Sequence, residues 1–132
     1  MNPFSRTQLL LDAENQALCP ACGKIVQWTA FTDDTQPTTF TEGGHFYLTD
    51  DLVYEGTDTF LTTGGLDTVT CLHLNGNNIT TTNGYTIFIS AGYLNMMGEG
   101  TVMGNPSNSA RGTVIYANNK TATNGASLYS GT

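Results

Sequence analysis

The feature that most constrains this chain is a unit that recurs in its second half. Leu72-x-Leu74-Asn75-Gly76 returns, slightly altered, as Leu94-x-Met96-Met97-Gly98, 22 residues later. Around both copies the apolar residues alternate with Thr, Asn and Ser. They never recur every three or four residues, so helices are excluded and short half-buried strands are favoured. The same pattern runs on either side. Phe46 and Leu48, then Leu52 and Tyr54, precede a turn at Gly56. Leu72, Leu74 and Ile79 are broken by turns at Asn75-Gly76 and Asn83-Gly84. Ile87, Ile89, Leu94 and Met96 precede Gly98 and Val102, and Val114, Tyr116, Leu128 and Gly131 close the series.

A period of 20–25 residues, each holding strand, turn, strand and turn, is the signature of a solenoid. Each pass stacks its strands on equivalent strands of the previous one, with Leu, Ile, Val and Met inward. A β-sandwich also uses short strands but does not require a motif at fixed spacing. The expected fold class is therefore all-β, a parallel β-helix over residues 43–132. The longer interval from Leu94 to Leu128 is absorbed by the polar stretches 105–111 and 117–125.

Two further segments precede the coils. Residues 1–18 carry the one helix signal. Ser5 and Gln8 have capping-box spacing, Phe4 and Leu9 hydrophobic-staple spacing, and Leu10, Ala13 and Ala17 share a helical face. This short helix is expected to cap the coils or to pack on a neighbouring subunit. Residues 19–42 hold a Cys19-Pro-x-Cys22-Gly23 knuckle, a short strand at Ile25, Val26, Trp28 and Phe31, and a polar loop from Asp33 to Thr41.

The knuckle aims two thiolates at one point, as in zinc ribbons, but supplies only two ligands. A Cys19–Cys22 disulfide is the rival, and a redox pair lacks its βαβ context. The other ligands are sought on the coils. If Leu72 and Leu74 face inward, Cys71 and His73 face outward, and so do His45 and Tyr47 one pass earlier. Stacking Leu48 under Leu74 brings His45 beside Cys71. An outward Cys needs a cover, and the knuckle is the obvious one. Cys19, Cys22 and Cys71, with His45 or alternatively His73 as fourth ligand, would complete a structural zinc site.

Composition excludes several functions. The chain has 132 residues, only 11% charged, and a net charge of −7 with four scattered basic residues. Nucleic acid and anionic membrane surfaces require clustered Lys and Arg. No apolar run is long enough to span a bilayer. The N-terminus is not read as a signal peptide, because its leucine core is short and Asp12 and Glu14 follow it. No Gly-rich phosphate loop leads from a strand into a helix.

An enzyme reading would need close carboxylates. Asp50 and Asp51 are neighbours and point to opposite faces of a strand, whereas Asp58, Asp67 and Glu99 sit in turns. No catalytic residue is assigned. Tyr47, Tyr54, Tyr85, Tyr93, Tyr116 and Tyr129 are candidates for an outward ladder that stacks on sugars, or for edge cover. Asn78-Ile-Thr and Asn119-Lys-Thr are glycosylation sequons, which arise easily in so Thr- and Asn-rich a chain.

The segments CPACGKIVQWTAF, GGHFYLTDDLVY, CLHLNGNNIT, LNMMGEGTVMG and SLYSGT resemble, in that order, segments of large surface proteins of anaerobic gut bacteria (Firmicutes type). The resemblance covers roughly residues 17–132. It implies right-handed β-helix repeats in an extracellular, structural or adhesive module, and it carries no assigned reaction. A carbohydrate-binding or carbohydrate-active module is the alternative. At the C-terminal end GASLYSGT keeps the pattern of a working coil, which calls for further coils of a longer chain or a second subunit docking head to tail into a fibre.

Overall fold

The computed structural model describes residues 8–105, 115–117 and 126–131, the last segment and residues 116–117 by their backbone alone. The described residues form strands and turns, with no helix. Two antiparallel strands come first, β1 (Gln16–Cys19) and β2 (Lys24–Gln27). Then follow β3 (Thr29–Phe31), β4 (Thr38–Phe40), β5 (Gly44–Leu48), β6 (Leu52–Tyr54), β7 (Leu61–Thr63) and β8 (Val69–His73). The series continues with β9 (Ile79–Thr81), β10 (Ile87–Ile89), β11 (Gly92–Met97), β12 (Val102–Met103), β13 (Ile115–Ala117) and β14 (Ala126–Gly131).

From β3 onward every pairing is parallel, in three sheets ordered β14-β11-β8-β5-β3, β13-β10-β7-β4 and β12-β9-β6. From β5 the chain visits the five-, three- and four-stranded sheets in rotation, advancing one strand in each per circuit. Strands of two to six residues suit such a path, because each is short enough to turn into the next sheet. At the corner after β8, Asn75 and Gly76 both have positive φ, 57° and 80°. An Asn-Gly pair with this geometry often closes a hairpin. Here it redirects the chain from one sheet to the next, because the partners of β8 are β5 and β11.

The interior holds Phe31, Phe40, Leu48, Leu52, Tyr54, Phe60, Leu61, Leu72, Leu74, Ile79, Ile87, Ile89, Leu94 and Met96. Each fully buried aliphatic side chain of this kind contributes about 1.5–3 kcal/mol. Phe40 packs at a tilt against Phe46 with ring centroids 4.6 Å apart and Tyr54 stacks on Phe60 at 4.8 Å, so aromatic rings fill the early passes and aliphatic side chains the later ones. Side chains at the corners tie one pass to the next. The Asn78 backbone N–H donates to Asp51 Oδ1 at 2.8 Å, and the Thr101 N–H donates to Asn78 Oδ1 at 3.0 Å.

Four expectations are corrected. The N-terminal helix is absent over residues 8–18, and its start at Phe4 and Ser5 lies outside the described residues. Asp12 Oδ1 accepts the N–H groups of Glu14 and Gln16, Asn15 takes φ 60°, and the chain turns into β1. The Asx turn captures the donors a helix would need, and pairing with β2 offers better burial than a lone helix. Leu9 and Leu11 face the protein while Leu10 is exposed, a period of two.

The polar loop at 33–41 contains β4, whose Phe40 enters the core. Leu72 stacks on Met96 and not on Leu94, which lies on Thr70. This two-residue shift from the motif alignment keeps the same side chains inward, so the alternation alone does not reveal it. At β13 it is Ile115, which the sequence pattern passed over, that packs on the core, above Ile87. Val114 itself lies outside the described residues.

Candidate metal centre

The outer face of the five-stranded sheet carries a second apolar cluster of Cys19, Trp28, Cys71 and Met97, with Leu9, Leu11, Ala17, Cys22, Val26 and Tyr47 packed around it. The β1–β2 hairpin forms its lid. Alternation in the hairpin sends Ala17 and Val26 toward the sheet and Leu18 and Ile25 to solvent. Trp28 is the wedge between them, 1% exposed. Its backbone N–H donates to the Asn15 carbonyl at 2.8 Å, and its indole N–H donates to the Ala17 carbonyl at 3.2 Å. Farther along, the Leu9 N–H donates to Asn75 Oδ1 at 2.8 Å, tying the N-terminal strap to the corner after β8.

The connection between β1 and β2 is the cysteine knuckle. The Gly23 N–H donates to the Cys19 carbonyl at 2.8 Å, and Gly23 takes φ 71°, which a glycine adopts without strain. This turn directs Cys19 and Cys22 at the sheet below. On that sheet the parallel register places His45, Cys71 and Asn95 in one row across β5, β8 and β11.

Cys19, Cys22, His45 and Cys71 therefore converge, with their ligand atoms all within 4.8 Å of one another. Cys71 Sγ lies 3.8 Å from Cys19 Sγ and 3.9 Å from Cys22 Sγ, and Cys22 Sγ lies 3.3 Å from His45 Nε2. A tetrahedral ion with metal–sulfur bonds of about 2.3 Å and a metal–nitrogen bond of about 2.0–2.1 Å has S···S edges of about 3.8 Å and S···N edges of about 3.5 Å. The spacings of 3.8, 3.9 and 3.3 Å fit edges of that polyhedron, and a donor set of three cysteine sulfurs and one imidazole suits zinc.

Electrostatics of the cluster follow from its burial. Desolvation pushes the Cys71 thiol up to about 12, against a smaller downward pull from the Asn95 side chain. Desolvation also raises Cys22, with a smaller lowering by Lys24. His45 is pushed down by burial, so its imidazole is neutral and able to bind a metal at neutral pH. Without a cation Cys22 and Cys71 hold their protons. A metal ion would replace those protons and supply the charge that burial otherwise forbids.

His73, the alternative fourth ligand, is not in the group. Its Nδ1 accepts the Asn75 N–H at 3.0 Å, and its ring meets Trp28 edge-on with centroids 6.0 Å apart. It is 5% exposed, and burial pushes its pKa down to about 4. His45 contacts the same indole from a centroid distance of 5.1 Å, so Trp28 separates two imidazoles with different tasks.

One residue was not anticipated. Asn95 Nδ2 donates to Cys71 Sγ at 3.5 Å. Only the register that aligns it with Cys71 marks it out, since Asn is common throughout the chain.

The other candidates have structural roles. Asp51 accepts the Asn78 N–H, Asp50 accepts the Thr49 hydroxyl, and Asp67 takes φ 62° in a turn. Glu99 is exposed, its backbone carbonyl accepting the Gly76 N–H. Asn78, in the first sequon, uses its Oδ1 to accept the backbone N–H and the hydroxyl of Thr101. The second sequon, at Asn119, lies outside the described residues. Tyr54 is buried against Phe60 and Tyr93 is exposed beside Val69, so these tyrosines do not stack as one ladder, and the side chains of Tyr116 and Tyr129 lie outside the description. Among the described residues no helix is long and apolar enough to cross a membrane.

Comparison of the chain with protein-family models, with curated proteins and with solved structures yields no match.

Proposed function

We propose that this chain is a structural or adhesive module of a bacterial extracellular or surface protein, built as a right-handed parallel β-helix and closed by a zinc clamp. The observation that carries the clamp is the convergence of Cys19, Cys22, His45 and Cys71, their ligand atoms all within 4.8 Å of one another. Two ligands come from the hairpin and two from the sheet, so the ion would bolt one to the other. Rotation of the chain through three stacked parallel sheets supports the helical reading, and the right hand follows from the strong preference of parallel crossovers. The resemblance to surface-protein repeats supports the location and the role.

In this reading zinc performs no chemistry on a substrate. Three thiolates and a neutral imidazole leave no open position, which is the mark of a structural site. Its contribution is to hold Trp28 over the outer face of the sheet and so protect that face from solvent.

The test is metal analysis combined with fluorescence. Protein purified under reducing conditions is expected to carry one equivalent of zinc. Chelation should shift the emission of Trp28, the single tryptophan, to the red as the hairpin lifts. Less than a tenth of an equivalent of zinc, with all three thiols intact, would rule out the clamp. Light scattering on the same sample reads end-to-end association, and a monomer at every concentration would eliminate a self-assembling fibre.

A further inference from the structure

Cys71 is the hub of the cluster. It contacts both knuckle sulfurs, at 3.8 Å and 3.9 Å, although they are 52 and 49 residues away along the chain. Cys19 and Cys71 are fully buried, whereas Cys22 is half-buried at the rim. Cys19 and Cys22 sit in one tight turn fixed by the Gly23–Cys19 backbone hydrogen bond. Cys22 and Cys71 belong to different elements, and a shift of under 2 Å in the hairpin brings their sulfurs to the ~2.05 Å of a disulfide.

We infer that the clamp has a second closed state, a Cys22–Cys71 disulfide that replaces the metal under oxidising conditions. This inference rests on the zinc reading for its reduced state only. Its consequence is that the hairpin stays fastened to the sheet in either redox environment. A bridge within the knuckle would instead free the hairpin from the sheet.

The chemistry balances with a peroxide as oxidant. The Cys22 thiolate attacks one peroxide oxygen, forming an S–O bond and breaking the O–O bond, and the departing hydroxide takes a proton to become water. Cys71 thiolate then attacks the Cys22 sulfur, forming the S–S bond and expelling the second oxygen, also as water after protonation. Two thiolates supply the two electrons that reduce the peroxide. Cys19 and His45 remain as two ligands, too few to hold the ion, and zinc is released.

The experiment treats the intact zinc-loaded chain with stoichiometric hydrogen peroxide. Released zinc is followed with a chromophoric chelator, the cross-link by peptide mapping, and hairpin docking by Trp28 emission. The expected result is one zinc released per Cys22–Cys71 bridge, with the emission still blue. A dominant Cys19–Cys22 bridge, a dominant sulfinic acid, or a red shift accompanying zinc release would overturn the inference. Cys71→Ser provides the control: the cross-link to the sheet cannot form, so after peroxide treatment Trp28 emission should lie to the red of the oxidised parent. Zinc content before oxidation tests the clamp separately. Should it be nil, the same mapping on the metal-free chain still decides whether Cys22 and Cys71 join.

Discussion

Asn95 gives the sharpest test of the proposed metal centre, because it touches a candidate ligand without belonging to the cluster. Its amide donates to Cys71 Sγ at 3.5 Å from the neighbouring position in the same row. A hydrogen bond to a charged acceptor is worth about 1.5–3 kcal/mol when well formed. This one is long, as sulfur contacts are, and Asn95 is half-buried. We therefore place the loss in Asn95→Ala at about 1.4 kcal/mol, or roughly tenfold in zinc affinity, the low end for outer-shell partners of metal ligands. The number of metal ions bound should stay at one.

Competition with a chromophoric chelator at pH 7 measures the affinity, and cobalt substitution supplies an independent signature. Donation to a thiolate lowers the energy of its sulfur electrons, so removing the amide should move the sulfur-to-cobalt charge-transfer band to longer wavelength. Asn95→Gln, which can reach the same sulfur, should recover part of both effects. Zinc affinity within twofold of the parent together with an unmoved cobalt band would refute the reasoning.

Other perturbations test the fold beneath the site. Thr70 is fully buried and its hydroxyl has no hydrogen-bond partner, so Thr70→Val should stabilise the protein by about 1 kcal/mol, read as a higher denaturant midpoint. Gly98 has φ 81°, and a Cβ there would lie 2.5 Å from the buried His73 ring. Gly98→Ala should cost about 2–4 kcal/mol, and pairing it with His73→Ala should show a coupling of at least 0.5 kcal/mol in a double-mutant cycle. The depressed pKa of His73, about 4 against an ordinary 6.5, means the folded state resists its protonation. Stability of the zinc-free protein should be full above pH 6.5 and fall by up to about 3 kcal/mol as the pH drops toward 4. Urea denaturation across that range checks it, and a profile that His73→Gln leaves unchanged would contradict the assignment.

The all-β class, most inward positions and the members of the Cys/His cluster were legible in the sequence. Alternation at Leu48, Leu52, Leu72, Leu74, Ile87 and Ile89 reports which side of a strand is buried, and that depends only on local geometry. The pairing of His45 with Cys71 followed from the same alternation once Leu48 was stacked under Leu74.

What the sequence left undetermined are the features that depend on contacts distant along the chain. A motif match of 22 residues did not reveal that Cys71 sits beside Asn95, 24 residues on, because a shift of two preserves the inward pattern. Residues 8–18 look helical in isolation. They fold as a strap, turn and strand, because Asp12 captures the backbone donors and β2 supplies a partner that no local rule foresees. Between two histidines of similar sequence context, only the tertiary structure chose. The His73 ring is engaged by the Asn75 backbone and Trp28, leaving His45 to face the three sulfurs. Strand alternation is a property of the chain itself, whereas register, cover and ligand choice are set by which surfaces meet.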